Sequence, residues 1–174
     1  MRIDIPASAL VVLIGAAASG KSRFAARRFA GECVVSSDRL RAEMSDATSD
    51  EVVFAELHRL LQARLAAGLL TAVDATNTDW MWRGALLTDA RRDGRPAIAI
   101  VFHLPLEVCL ARNAARSRTV PASVIRRQIA DVAQDVERLD IEGFAAVYVL
   151  RSVADVDAVS LDIEEGPATR ALDA

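Results

Sequence analysis

Residues 15–22 read GAAASGKS. The octapeptide satisfies G-x-x-x-x-G-K-[ST] at every fixed position. It follows the apolar run ALVVLIG (9–15) and precedes KSRFAARRFA (21–30). A β-branched run that stops at glycine predicts a buried parallel strand. Phe24 and Phe29 among alanine and arginine predict a helix. Strand, glycine loop and helix together turn backbone N–H groups onto a phosphate chain. Gly15 and Gly20 free the backbone for that turn, and Ser19, inside the loop, joins the nucleotide-binding set. Lys21 is placed to reach β- and γ-phosphates and Ser22 to ligate Mg²⁺, so ATP and Mg²⁺ are the expected cofactors. The competing reading is a turn of small residues without a ligand. It leaves the lysine unexplained, because Lys21 is the sole lysine among 21 basic residues. A P-loop needs a compact point charge inside a ring of amides, which the planar guanidinium fork does not provide.

The remaining chain continues the alternation of strand and helix. Strands are predicted over 33–38, 69–77, 96–104 and 145–150. A helix over 49–68 opens with Ser49 and first-turn acids and stops at Gly68. Others are predicted over 78–94, over 105–115 with Pro105 at its first position, and from Pro121 to about 139. This pattern predicts an α/β protein of the P-loop NTPase or kinase fold: five mostly parallel strands flanked by helices, with a small lid. Residues 1–150 form the expected domain. Residues 151–174 form a C-terminal extension with one weak helix, partly frayed over EEGPATRALDA.

Composition narrows the class. At 52% hydrophobic residues the chain is core-forming, and its net charge of −3 excludes a generic polyanion binder. No apolar run approaches the ~20 residues of a membrane span, so no membrane partner is expected. Cys33 and Cys109 lie far apart without metal-type spacing, which suits a reduced, cytoplasmic protein. Two basic stretches, 5–31 and 108–130, contain no acid. In an acidic protein such stretches point to local phosphate sites.

Three further motifs carry chemistry. VVSSDRLR (34–41) ends a strand with Asp38 and Arg41 three residues apart, on one side of a short turn. Asp38 reads either as a helix cap or as the base that takes an acceptor hydroxyl's proton beside the γ-phosphate. VDATN (73–77) puts Asp74 at a strand end, where it holds Mg²⁺ through water; Asn77 reads either as a turn residue or as a nucleotide contact. RNAARSR (112–118) offers Arg116 and Arg118 either as a mobile lid over phosphates or as a solvated helix end. His58 and His103 read as packed or surface residues; Trp80 and Trp82 read either as helix-start packing or, where exposed, as a surface that stacks a base.

Together GAAASGKS, VVSSDRLR, AVDATN, AIVFHLPLEVCLARNAAR and VIRRQI, in this order, resemble the P-loop kinase domain of bacterial polynucleotide kinase–phosphatases, a group of 5′-hydroxyl polynucleotide kinases that act in RNA or DNA repair. The resemblance spans roughly residues 8–150. It implies that Lys21 and Ser22 hold ATP·Mg, that Asp38 is the general base on a polynucleotide 5′-OH, that Arg41 binds an acceptor phosphate, and that Arg116 and, by extension, Arg118 belong to the lid. It also implies a 5′-OH polynucleotide substrate, with a phosphatase or ligase repair partner and a homodimer as associations to test; the net charge of −3 points to a short footprint on that substrate. The chain departs from the family at three points. Arg23, in the nucleotide-binding set, replaces a threonine; Ala18 stands where such loops often carry glycine; and the acidic stretch after VVSSDRLR is shortened. In fused members a phosphatase domain follows, and this chain reads either as a stand-alone kinase or as an excised domain. Two competing functions remain: a kinase of a small-molecule hydroxyl, and a nucleotide-binding regulatory module.

Overall fold

The computed structural model describes residues 1–44 and 48–164. The central sheet has five strands, all parallel, in the order β3 (Val34–Ser36), β4 (Thr71–Asp74), β2 (Leu10–Gly15), β5 (Ala97–Phe102), β6 (Ala146–Leu150). Its period-two alternation feeds two cores. Leu10, Val12 and Ile14 of β2, with Ala97, Ala99 and Val101 of β5, enter one face. Val11 and Leu13, with Ile98, Ile100 and Phe102, enter the other. Both strands are buried along their whole length, as a central parallel strand must be.

On the first face α3 (Asp50–Ala66) supplies Val53, Leu57, Leu61 and Leu65, and α4 (Trp80–Arg92) supplies Leu86, Leu87 and Ala90. Their seams follow the three-to-four residue spacing of an amphipathic helix. Ser49 caps α3, and Asp79 caps α4 by accepting from the N–H groups of Met81 and Trp82. On the other face α1 (Lys21–Arg28) packs Phe24 edge-on against Phe102, with ring centroids 5.3 Å apart. A second, two-stranded parallel sheet joins β1 (Arg2–Ile5) to β7 (Ser160–Ile163) beside this core. It buries Ile3 and Ile5, and α8 (Val153–Ala158), with a capping box at Ser152 and Asp155, precedes β7. The segment EEGPATRALDA, apart from Glu164, lies outside the described residues. Among the described residues no helix is long and apolar enough to cross a membrane.

The chain leaves β2 for β3 and β4 on one side, then crosses to β5 and β6 on the other. The carboxyl end of β2 is therefore the switch point, where a parallel sheet opens its ligand crevice. GAAASGKS begins there.

One buried cation ties the helices together. Arg83 of α4 is fully buried. Its guanidinium donates to both Glu142 carboxylate oxygens at 2.8 and 2.6 Å, to Asp135 Oδ2 at 2.8 Å and to the Asn77 carbonyl at 3.0 Å. Asp135 ends α6 (Ala122–Asp135) and Glu142 ends α7 (Leu139–Glu142). Removing one partner of such a network strands two carboxylates, at a typical cost of ~3–5 kcal/mol. Arg83→Met is expected to lower the urea midpoint accordingly, with the slope unchanged. An unaltered midpoint would show that the network adds nothing to stability.

Candidate active site

The loop between β2 and α1 is shaped by close approaches. A Cβ on Gly15 would meet Phe102 Cβ at 2.9 Å and the Ser19 hydroxyl at 3.0 Å, so only glycine lets β2 end against β5. Gly20 takes φ +105° as the residue before α1. No side chain caps α1. Its first-turn N–H groups have no helical acceptor and point toward an incoming anion. Ala18 also has positive φ, at 61°. That left-handed conformation costs an alanine ~1–2 kcal/mol, which a glycine would not incur. The loop is pinned from α6 by Gln128, whose Oε1 accepts from the Ala17 N–H at 2.9 Å.

Lys21 is buried and folded back over its own loop. Its ammonium donates to the carbonyls of Gly15 and Ala16, both at 2.8 Å, and lies 3.4 Å from the buried Ser19 hydroxyl. Burial pushes this ammonium down to about 8, partly countered by Asp74, Cys109 and Asp38. Ser22 Oγ donates to Asp74 Oδ1 at 3.1 Å, and Ser36 Oγ to Asp74 Oδ2 at 3.2 Å. Asp74 is thereby fixed at the end of β4, facing the start of α1. A hydroxyl and a carboxylate, both hard oxygen donors, suit Mg²⁺, which keeps much of its water. Among the described residues no group of three or more His, Cys, Asp or Glu assembles as a denser metal site.

These residues open onto a cavity of about 880 Å³. Gly20, Lys21, Ser22 and Asp74 form its floor, while Gly15 and Ser19 stand behind it. On one side α2 (Ser37–Met44) presents Asp38 and Arg41, one turn apart, as their spacing predicts. Asp38 is exposed. Arg41 donates to the Thr48 carbonyl at 3.3 Å and pairs with Asp50, the first residue of α3. Arg23 and Arg27 of α1, with Val153, Val156 and Asp157 of α8, also line the cavity.

Arg116 and Arg118, in the loop between α5 (Leu106–Ala114) and α6, line the cavity as well. Asn113 clamps that loop at its base: its amide donates to the Val120 carbonyl at 2.9 Å and its Oδ1 accepts from the Val120 N–H at 3.0 Å. Arg112, to which sequence reasoning assigned no role, donates to the Ser19 carbonyl at 2.9 Å and lines the same cavity. Its signal was its position four residues before Arg116, one helical turn away.

Asn77 resolves as a loop fastener. It is buried at φ 50°, donates to the Leu13 carbonyl at 2.8 Å and accepts from Trp82 Nε1 at 3.0 Å. Trp82 packs edge-on against Phe54, 5.2 Å between centroids, whereas Trp80 is 67% exposed. His58 pairs with Asp89 and His103 accepts from Arg151 at 3.0 Å; neither lines the cavity. Pro105 stands as the residue before α5 rather than inside its first turn.

Residues 10–139 match the family AAA_33, described as an AAA domain. No curated protein matches the sequence. Among solved structures, the chain is similar to one in the Pnkp1/Rnl/Hen1 RNA repair complex: 23% identity, TM-score 0.67, covering 79% of this chain and 47% of that one. It thus spans about half of that neighbour's length. It is also similar to a gluconokinase from Sinorhizobium meliloti 1021, at 18% identity and TM-score 0.55, covering 84% and 83% of the two chains. A third is the Mycobacterium tuberculosis APS kinase CysC in complex with AMPPNP and APS, at 17% identity and TM-score 0.50, covering 78% and 99%. At these identities the shared property is the α/β P-loop kinase fold.

Proposed function

The chain belongs to the AAA_33 family, and from that premise we propose that it is an ATP-dependent kinase that phosphorylates the 5′-hydroxyl of RNA or DNA in a cytoplasmic repair setting. The observation that carries the reading is Asp38 and Arg41 on one turn of α2, facing the cavity whose floor is Lys21 and Ser22. A nucleotide-binding regulatory module would not require a carboxylate in that place.

ATP lays its triphosphate along the loop and the uncapped start of α1. Lys21 exchanges its loop carbonyls for β- and γ-phosphate oxygens. Ser22 would hold Mg²⁺ directly and Asp74 through water, and the bound ion supplies charge neutralisation on the phosphates. Asp38 aligns the acceptor hydroxyl and takes its proton as the new oxygen–Pγ bond forms. The bond from Pγ to the β-bridging oxygen breaks, and ADP leaves with that electron pair. Arg116 and Arg118, with Arg112 behind them, close over the phosphates and stabilise charge there. Arg23 meets the nucleotide where a threonine hydroxyl is absent, and Arg41 binds an acceptor phosphate.

Lys21 links nucleotide binding to pH. In the free protein its ammonium titrates at about 8, and phosphates favour the charged form. Affinity for ATP should therefore be flat below that pH. Above it, affinity should fall up to tenfold per pH unit, with one proton taken up on binding. Calorimetric titration between about pH 7 and pH 9.5 checks this; constant affinity across that range would contradict it.

The acceptor assignment is tested by salt. Contacts to strand phosphates release counterions, so KM for a short 5′-OH oligonucleotide should rise with salt at a slope of ~0.7 per contact. Arg41→Ala should flatten that slope by roughly one contact without altering KM for ATP. A salt-independent KM in the wild type would remove the polynucleotide reading. One observation favours the second reading, a small neutral acceptor: the guanidinium of Arg41 is already paired with Asp50.

A further inference from the structure

The charges around the cavity divide into two unlike halves. Among the described residues, seven cations, Lys21, Arg23, Arg27, Arg28, Arg112, Arg116 and Arg118, line the nucleotide side against two acids, Asp74 and Asp157. The side formed by α2 and the start of α3 carries Asp38, Asp50 and Arg41, one more acid than base. An acceptor that brings phosphodiesters therefore meets a guanidinium already matched with a carboxylate. We infer that Asp50 is a specificity-determining residue: it occupies Arg41 in the empty site, yields it to an acceptor phosphate, and so sets how strongly the enzyme prefers an acceptor with a phosphodiester next to the reacting 5′-hydroxyl. This rests on the polynucleotide reading above.

The geometry supports an exchangeable pairing. The Arg41 side chain is only 17% exposed and is steadied by the Thr48 carbonyl, whereas the Asp50 side chain is 77% exposed. Arg41 is thus held at the cavity wall, while Asp50 can turn out into water with little loss, as exposed ion-pair partners do. A phosphodiester carries the same single charge as the carboxylate and can accept from the same guanidinium nitrogen that now donates to Asp50. The helix does not need Asp50 as its cap, because the Ser49 hydroxyl already accepts from the Val52 N–H. An uncharged residue at position 50 leaves that cap in place.

The test compares two acceptors under γ-labelled ATP. Adenosine offers a 5′-hydroxyl without phosphate; the dinucleoside monophosphate ApA offers the same hydroxyl with one phosphodiester. Asp50→Asn should lower KM for ApA about three- to tenfold, the range for removing one competing, partly screened charge. KM for adenosine should stay within about twofold. In an Arg41→Gln background the gain for ApA should vanish, since the pair acts as a unit. Equal KM values for ApA in wild type and Asp50→Asn overturn the inference and leave the polynucleotide reading standing. So does an equal fall for both acceptors, or a gain that survives Arg41→Gln. If the wild type and Asp50→Asn phosphorylate neither ApA nor a longer 5′-OH oligonucleotide, the polynucleotide reading fails and the inference fails with it.

Discussion

Lys21→Ala is expected to reduce phosphoryl transfer by ~10³-fold or more while the protein stays folded. The expectation follows from what the side chain does in the empty site. Its ammonium satisfies two loop carbonyls at 2.8 Å and no distant element. Removing it leaves those carbonyls beside a cavity open to water, so the fold loses little. On the proposed reading, the transferring phosphoryl group would then lose the ammonium that reaches it from the loop. Arginine is not a substitute, because its planar fork lacks the compact point charge that donates here to both the Gly15 and Ala16 carbonyls. Single-turnover rates with labelled ATP, alongside a thermal melt of the variant, separate loss of chemistry from loss of fold. A folded Lys21→Ala protein with near-normal turnover would remove the basis for nucleotide chemistry at this loop.

Asp38→Asn carries the second large effect, a fall in kcat of ~10²–10⁴-fold with ATP affinity little changed. Asparagine keeps the size and polarity of the side chain but cannot take a proton. Asp38 is exposed as the second residue of α2, whereas Leu40 is the residue of α2 that enters the core. The variant should therefore fold and bind ATP normally. The informative contrast is with Asp74→Asn. Asp74 is buried and accepts from Ser22 and Ser36, so its loss should weaken nucleotide and Mg²⁺ binding together. If Asp38→Asn instead lost ATP affinity and kept its turnover per bound ATP, Asp38 would be a binding residue and the base would lie elsewhere.

What could be read from the sequence was what neighbouring residues decide. GAAASGKS reports its own geometry, because the tight approach at Gly15 and the left-handed turn at Gly20 can be inferred from the residue types alone. The strands β2 and β5 are apolar at every buried position, and the caps at Ser49 and Asp79 stand in the chain beside the helices they start. Contacts between distant segments left no such trace. The β1–β7 pair joins residues 2–5 to 160–163 through four-residue strands too short to show a period. Arg112 looked like one more helix cation until the fold set it against Ser19, 93 residues away. Arg83 gave no sign of complete burial, since its three anionic or carbonyl partners come from three separate segments. Arg41 was legible as a cavity residue through its spacing from Asp38, but its pairing with Asp50 was not. That pairing depends on how α3 returns beside α2.

The central claim is that the cavity transfers a γ-phosphate to a polynucleotide 5′-hydroxyl. The most direct measurement offers γ-labelled ATP and Mg²⁺ to the protein with a 5′-OH oligonucleotide and a panel of small alcohols and sugars in one mixture. Label is expected on the oligonucleotide 5′ end, none on an oligonucleotide already 5′-phosphorylated, and labelling should be lost with Asp38→Asn. Label appearing on a neutral alcohol, with every oligonucleotide left unlabelled, would contradict it.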